Sequence, residues 1–164
     1  MANAFEPEWD GGQERPGFSY RRAKLGAQAG AERLGASLYE LEPGETAFPF
    51  HWHSGNEELL LITQGRPSLR TGEGWRELEP GEVVAFPRGP AGAHQVSNRS
   101  EETARMLVVS EMNAPEVVAQ PDSDKLLAAT RPPGGVDREG DFFGTFRRGD
   151  EADYWEGEEP PAPE

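Results

Sequence analysis

His51-Trp52-His53-Ser54-Gly55-Asn56-Glu57-Glu58-Leu59-Leu60-Leu61-Ile62-Thr63-Gln64-Gly65 decides how the rest of this 164-residue chain is read. Its first residues close a segment of strand-like composition. In a strand, residues two apart point to one face, with Cα atoms about 6.5 to 7 Å apart. His51 and His53 can therefore converge on one point while Trp52 turns to the other face. Ser54-Gly55-Asn56 is turn chemistry, and Glu57-Glu58 then opens the apolar run 59–62. A carboxylate entering a buried strand is costly unless it is paired, protonated or bound to a metal. Alternation gives Glu58, Leu60 and Ile62 one face and Glu57, Leu59 and Leu61 the other. One glutamate faces the histidines and its neighbour does not.

Outward from this stretch the chain is punctuated by 20 Gly and 15 Pro. Through the middle they fall about 8 to 12 residues apart, with short apolar segments between, the spacing of an all-β sandwich or barrel. The predicted strands are 18–25, 34–41, 47–53, 58–63, 68–70, 76–78, 82–86, 93–98 and 104–111. Pro43-Gly44, Gly72 to Gly74 and Pro80-Gly81 supply turns between them. Leu41-Glu42 and Leu78-Glu79 precede the two Pro-Gly pairs, an echo of internal two-fold repetition. No amphipathic helix longer than three turns is predicted, and the best helical segment is the short 124–130. Residues 120–141 read as an irregular connection. Phe142, Phe143 and Phe146 then read as an apolar anchor returning to the barrel.

Residues 150–164 hold seven acidic side chains and no Lys or Arg, which makes this end a solvated, partly disordered tail. Tyr154 and Trp155 inside it are expected to dock. The whole chain carries a net charge of -14 and has a pI near 4.6, a balance that repels phosphate backbones and anionic lipid. Nucleic acid and membrane are accordingly excluded as partners. With 35% hydrophobic residues, the chain has no apolar run of the roughly 18 residues needed to span a bilayer. Its first ten residues lack the pattern of a signal peptide, so a cytoplasmic location is expected. The absence of Cys removes disulfides, thiolate sites and Cys nucleophiles together.

The third and last histidine, His94, lies in a second ordered pattern: Gly81, Pro87, Gly89, His94 and Asn98. A lone histidine is more often a satisfied polar residue than a ligand. Two imidazoles near Glu58 make a metal the economical partner for that carboxylate. His51-Trp-His53, four residues, Glu58, six residues, Gly65 resembles the first motif of the cupin superfamily, and the Gly81-to-Asn98 pattern resembles its second. The resemblance covers roughly residues 34–110. Segments 121–125 and 153–158 also resemble the C-terminal extension of a branch of small bacterial cupins.

This resemblance implies a double-stranded β-helix, the cupin or jelly-roll barrel, with an N-terminal arm (1–17), a barrel (18–113), an extension packing on it (114–149) and the acidic tail (150–164). It makes His51, His53, Glu58 and His94 the metal ligands for one divalent transition metal ion per chain. Three imidazoles and a carboxylate suit Fe, Mn, Ni, Co, Cu or Zn alike. Two positions of an octahedral ion stay open for a small-molecule ligand, and Glu58 is the candidate general base. A homodimer is implied as well. The chain departs from the family pattern in two turns: six residues separate Gly44 from His51 where five are usual, and four separate Gly89 from His94 where two are usual. Extra turn residues cost little, so the ligand assignment stands.

Asn98 is read as a turn residue, and Phe48, Phe50 and Trp52 as core. Gln64, Arg66 and Gln95 are open between substrate contact and exposed strand ends. The function expected is that of a metal-dependent enzyme of dioxygenase, isomerase or lyase type acting on a small oxygenated molecule. The alternative is a non-catalytic, metal-dependent binding or sensing module.

Overall fold

The computed structural model describes residues 1–133 and 139–160. Its strands are β1 (Gly11–Arg15), β2 (Phe18–Ala23), β3 (Leu34–Leu41), β4 (Trp52–His53), β5 (Glu58–Gln64), β6 (Ser68–Thr71), β7 (Gly74–Glu77), β8 (Val83–Phe86), β9 (Gln95–Ser97), β10 (Ala104–Glu111), β11 (Glu116–Gln120), β12 (Lys125–Ala129) and β13 (Phe143–Arg147). One four-residue helix, α1 (Leu25–Gln28), follows β2. The all-β, double-stranded β-helix reading holds. A six-stranded sheet runs β1-β2-β3-β10-β5-β8, a three-stranded sheet β7-β6-β9, and a four-stranded sheet β13-β12-β11-β4. The core lies between the first two, where Leu60, Ile62 and Met106 of the large sheet meet Leu69 and Val96 of the small one. Among the described residues no helix is long and apolar enough to cross a membrane.

Strands 34–41 and 104–111 have the predicted bounds and pair antiparallel along their whole length, Leu38 opposite Leu107. Alternation in β5 also holds: Leu60 and Ile62 are fully buried while Glu57 and Leu59 are exposed. The strand ends at Gly65, whose φ is +72° and where a Cβ would stand 2.7 Å from the Thr103 carbonyl oxygen. Only glycine fits that turn without displacing backbone. The two Pro-Gly turns are built alike. Glu45 N donates to Glu42 O at 3.1 Å, and Glu82 N donates to Glu79 O at 3.0 Å. The Glu45 and Glu82 carboxylates in turn accept from the Glu42 and Glu79 amides.

Other expectations are corrected. Segment 18–25 ends as a strand at Ala23, because Leu25 opens α1. Segment 47–53 is largely not a strand: Pro49 cannot donate to a ladder, and only Trp52–His53 pairs, with isolated bridges at Thr46 and His51. Segment 93–98 shortens to Gln95–Ser97.

The larger correction concerns 120–141. Here β11 and β12 form an antiparallel pair from Glu116 opposite Ala129 to Gln120 opposite Lys125. Asp124 turns between them with φ +48°, a left-handed conformation that Asp tolerates better than most residues. The expected helix 124–130 is therefore strand β12. A short apolar run has no decisive period of its own, and pairing with β11 and β13 decides it. Phe142, Phe143 and Phe146 do not return to the core, being 47%, 55% and 49% exposed, and Tyr154 and Trp155 are undocked at 82% and 72%. The tail's end, 161–164, and the connection 134–138 lie outside the described residues.

Candidate metal centre

The backbone brings the histidines together before any side chain does. His51 and His94 are cross-strand partners that exchange both hydrogen bonds, His51 N to His94 O at 3.1 Å and His94 N to His51 O at 2.9 Å. His53 lies two residues along the same face, and Glu58 opens β5 opposite Phe86 and Ser110. The ring orientations follow from simple acceptors. His51 Nδ1 donates to the Pro49 carbonyl oxygen at 2.8 Å, and His94 Nδ1 donates to that of Gly92 at 2.9 Å. A carbonyl only accepts, so in both rings the proton sits on Nδ1 and the Nε2 lone pair is left for the site. The ring of Phe86 stacks on His94 at 3.7 Å.

Glu58 Oε2 is the common neighbour, 3.5 Å from His53 Nε2 and 3.4 Å from His94 Nε2. Ligand atoms of His51, His53 and Glu58 all lie within 4.8 Å of one another, a group able to hold a metal ion. Burial, with repulsion from His94 and His53, holds the His51 imidazolium well below its ordinary range. For His94 burial lowers the pKa to about 4. Burial likewise pushes His53 down, but the Glu116 and Glu58 carboxylates outweigh it and raise the ring. The Glu58 carboxyl is raised, chiefly by burial. Two imidazoles kept neutral by burial with Nε2 free (His51 and His94), and the His53 ring beside the same carboxylate, are a donor set that suits a divalent transition metal, so these residues fit such an ion.

The pKa values carry a stability consequence. Between about pH 6.5 and pH 4 the unfolded chain takes up protons that folded His51 and His94 refuse, so unfolding gains on folding as pH falls. For His94 the drop from 6.5 to about 4 corresponds to roughly 3 kcal/mol, and His53, shifted the other way, offsets part of it. Urea unfolding of chelator-treated protein should show the midpoint falling across that window. A flat midpoint would contradict neutral, buried imidazoles.

One residue essential to this geometry was not singled out from sequence. Glu116, 2% exposed, accepts from Ser54 N at 3.1 Å, Gly55 N at 3.0 Å and Asn56 Nδ2. Its Oε2 is 3.5 Å from His53 Nδ1, a buried nitrogen with no hydrogen-bond partner of its own. Although burial works to raise it, the His53 ring, the Asn56 amide and the Gly55 N–H hold the Glu116 carboxyl down at about 2. The signal was present: Glu116 follows Pro115 and opens the apolar run 117–119, the same costly placement that marked Glu58.

His51, His53, Glu58 and His94 line a cavity of about 300 Å³ whose walls include Tyr20, Arg22, Tyr39 and Phe48 from the body and Val118 and Leu127 from the extension. Phe48, expected in the core, thus packs on the core and lines the cavity together. Phe50 is buried as expected. Trp52 is only half-buried, in the strand that pairs with β11. Gln95 lines the cavity, but its amide donates to Phe48 O at 3.0 Å. Arg66 pairs with Glu77 and Glu79, and Gln64 is an exposed strand end. Asn98 is a structural residue: fully buried, it donates to the Leu41 and Glu102 carbonyls and accepts from Ser100.

The profile of the cupin domain matches residues 37–110. Among solved structures, a cupin-superfamily sugar phosphate isomerase of Silicibacter pomeroyi superposes with TM-score 0.75 at 26% identity, over 92% of this chain and 94% of that one. A provisionally assigned sugar phosphate isomerase of Acidithiobacillus ferrooxidans gives TM-score 0.73 at 26% identity, over 86% of each chain. A polyketide cyclase of Streptomyces resistomycificus shares the fold alone, with TM-score 0.55 at 23% identity over 71% of this chain and 82% of that one. No curated protein matches the chain. The two histidine motifs, the sheets that join them and these likenesses agree: the chain belongs to the cupin superfamily.

Proposed function

We propose that this protein is a metal-dependent enzyme acting on a small oxygenated organic molecule. His51, His53, Glu58 and His94 hold one divalent transition metal ion in this reading. The observation that carries it is the convergence of the His51 and His53 imidazoles and the Glu58 carboxylate, with His94 beside that carboxylate, on a cavity of about 300 Å³, a size suited to a small substrate. When bound, such an ion polarises a carbonyl or enol oxygen.

The protein's own groups do the rest. Glu58 is also the candidate general base, in a state where its carboxylate swings off the ion, because coordination and proton transfer compete for the same oxygen. Glu57 is exposed and turned away, so it is not the base. Tyr39, its hydroxyl pushed up to about 12 by burial, stays a neutral donor beside the cavity. Apolar walls exclude water and strengthen each polar contact. Of the reaction types open to this site, isomerase chemistry has the best support, since two neighbours at 26% identity are named sugar phosphate isomerases. A homodimer belongs to the same proposal, with the free edge of β1 in the six-stranded sheet as its pairing surface.

The test is proton exchange in D2O. Metal-loaded protein is incubated with small aldose and ketose phosphates and with 2-hydroxy acids, followed by proton NMR. Exchange or isomerisation that needs metal and is lost in Glu58→Gln supports the enzyme. Full metal occupancy without exchange in any of them would leave a binding module as the better reading.

A further inference from the structure

Besides the histidines and Glu58, the described lining of the cavity includes one guanidinium. Arg22 on β2 lines the cavity of about 300 Å³ and also a second one of about 340 Å³ that shares Tyr39, Glu58 and Val108 with the first. It stands where the two meet. Its Nε is buried with no hydrogen-bond partner, and its one nearby carboxylate, Asp10 Oδ1, is 3.8 Å away. The other Asp10 oxygen is engaged by Lys24 N and the Gln28 amide.

Across the ladder from Arg22 is Gly11, where a Cβ would come within 2.7 Å of Arg22 Nη2. The guanidinium thus lies over a residue that offers it neither bulk nor an acceptor. Its charge is felt at the Tyr20 and Tyr39 hydroxyls, lowering both against their burial. Tyr20, Tyr39 and Phe48 pack on one another with ring centres 5.1 to 5.4 Å apart, and this aromatic wall leads from Arg22 to His51.

We propose that the cavity takes a small organic acid, its oxyanion held by Arg22 and its apolar or aromatic body laid along Tyr20, Tyr39 and Phe48 toward the histidine cluster. The reading deepens the proposed function and rests on it for the role of the far end. An unsatisfied guanidinium N–H at an apolar wall costs free energy that an oxyanion returns, and arginine's fixed donor fork matches a carboxylate or phosphate. In a chain of net charge -14 the long-range field opposes an acid, so selection for one has to come from such a local cation. Size agrees: a cavity of about 150 Å³ accommodates one benzene ring, so about 300 Å³ admits a ring or short chain with its acid group.

The experiment compares matched probes, benzoate and benzamide, by isothermal titration calorimetry on metal-loaded and metal-free protein, in wild type, Arg22→Met and Arg22→Lys. Metal content is measured on every sample. Expected is an acid preference of about tenfold or more, in line with a charge-assisted hydrogen bond, lost in Arg22→Met and partly kept in Arg22→Lys. Equal binding of the two probes, no benzoate binding at millimolar concentration, or a preference surviving Arg22→Met would each overturn the proposal. A preference that vanishes only on metal removal would do so too, by placing the carboxylate on the ion. Metal content that stays near one equivalent in these samples leaves the proposed metal site standing whatever the probes do. Should Arg22→Met fail to fold, the Arg22→Lys titration decides, because a shortened fork with the same charge still weakens the preference.

Discussion

If the proposed metal site is right, His51→Ala and His94→Ala each lower metal affinity by more than about a hundredfold, beyond the 10–100-fold typical of losing a residue that only supports a ligand. The two positions face each other across one bridge, so neither can be replaced by a shift of the other. In both rings Nδ1 is committed to a backbone carbonyl, which leaves Nε2 alone to donate to an ion. The apo fold should survive, because each imidazole is buried at a cost that alanine does not bear. Circular dichroism of the metal-free variants and a competition titration with a chromophoric chelator separate the two effects. Stoichiometric metal retained in both variants would put the ion elsewhere.

Glu116→Ala is the second large effect, and it strikes fold and site together. The buried carboxylate gathers the amides of Ser54 and Gly55 and the Asn56 side chain, and so ties the turn between β4 and β5 to β11. Removing it strands one buried donor, the Asn56 amide, at about 1–3 kcal/mol, and two part-buried backbone amides at less. Because partial relaxation and water entry relieve some of that, a loss of about 3 kcal/mol in unfolding free energy is expected. Metal affinity should fall about 10–100-fold as well, since Glu116 Oε2 stands 3.5 Å from His53 Nδ1 and steadies that ring. Urea unfolding of apo protein and the same chelator titration read the two losses. A change below about 1 kcal/mol would mean that the turn holds itself.

Much of the site was legible because its signals are local. The i, i+2 histidines, the glutamate at the head of an apolar run and the glycines of the turns are set by strand alternation and backbone sterics. Strands 34–41 and 104–111 carry enough period-two pattern to fix their ends. The extension did not, because its strands are defined by partners far away in sequence: β11 reads as a strand once Val118 is known to face His53. Arg22 and Tyr39 reach the cavity through register, with Arg22 directly across from Tyr39, and register is invisible in a single strand. Phe142, Phe143 and Phe146 mislead in the opposite way. Their apolar character promised burial, yet Phe143 and Phe146 lie on the outer strand β13 and Phe142 just before it, all three exposed.

The most direct measurement is elemental analysis of protein purified without an affinity tag or chelator, before and after reconstitution with Fe(II), Mn(II), Co(II), Ni(II), Cu(II) and Zn(II) in turn. About one equivalent of a single transition metal per chain is expected, retained through gel filtration and lost in His51→Ala. No metal as purified, and none taken up from any of the six, would contradict the proposed metal site.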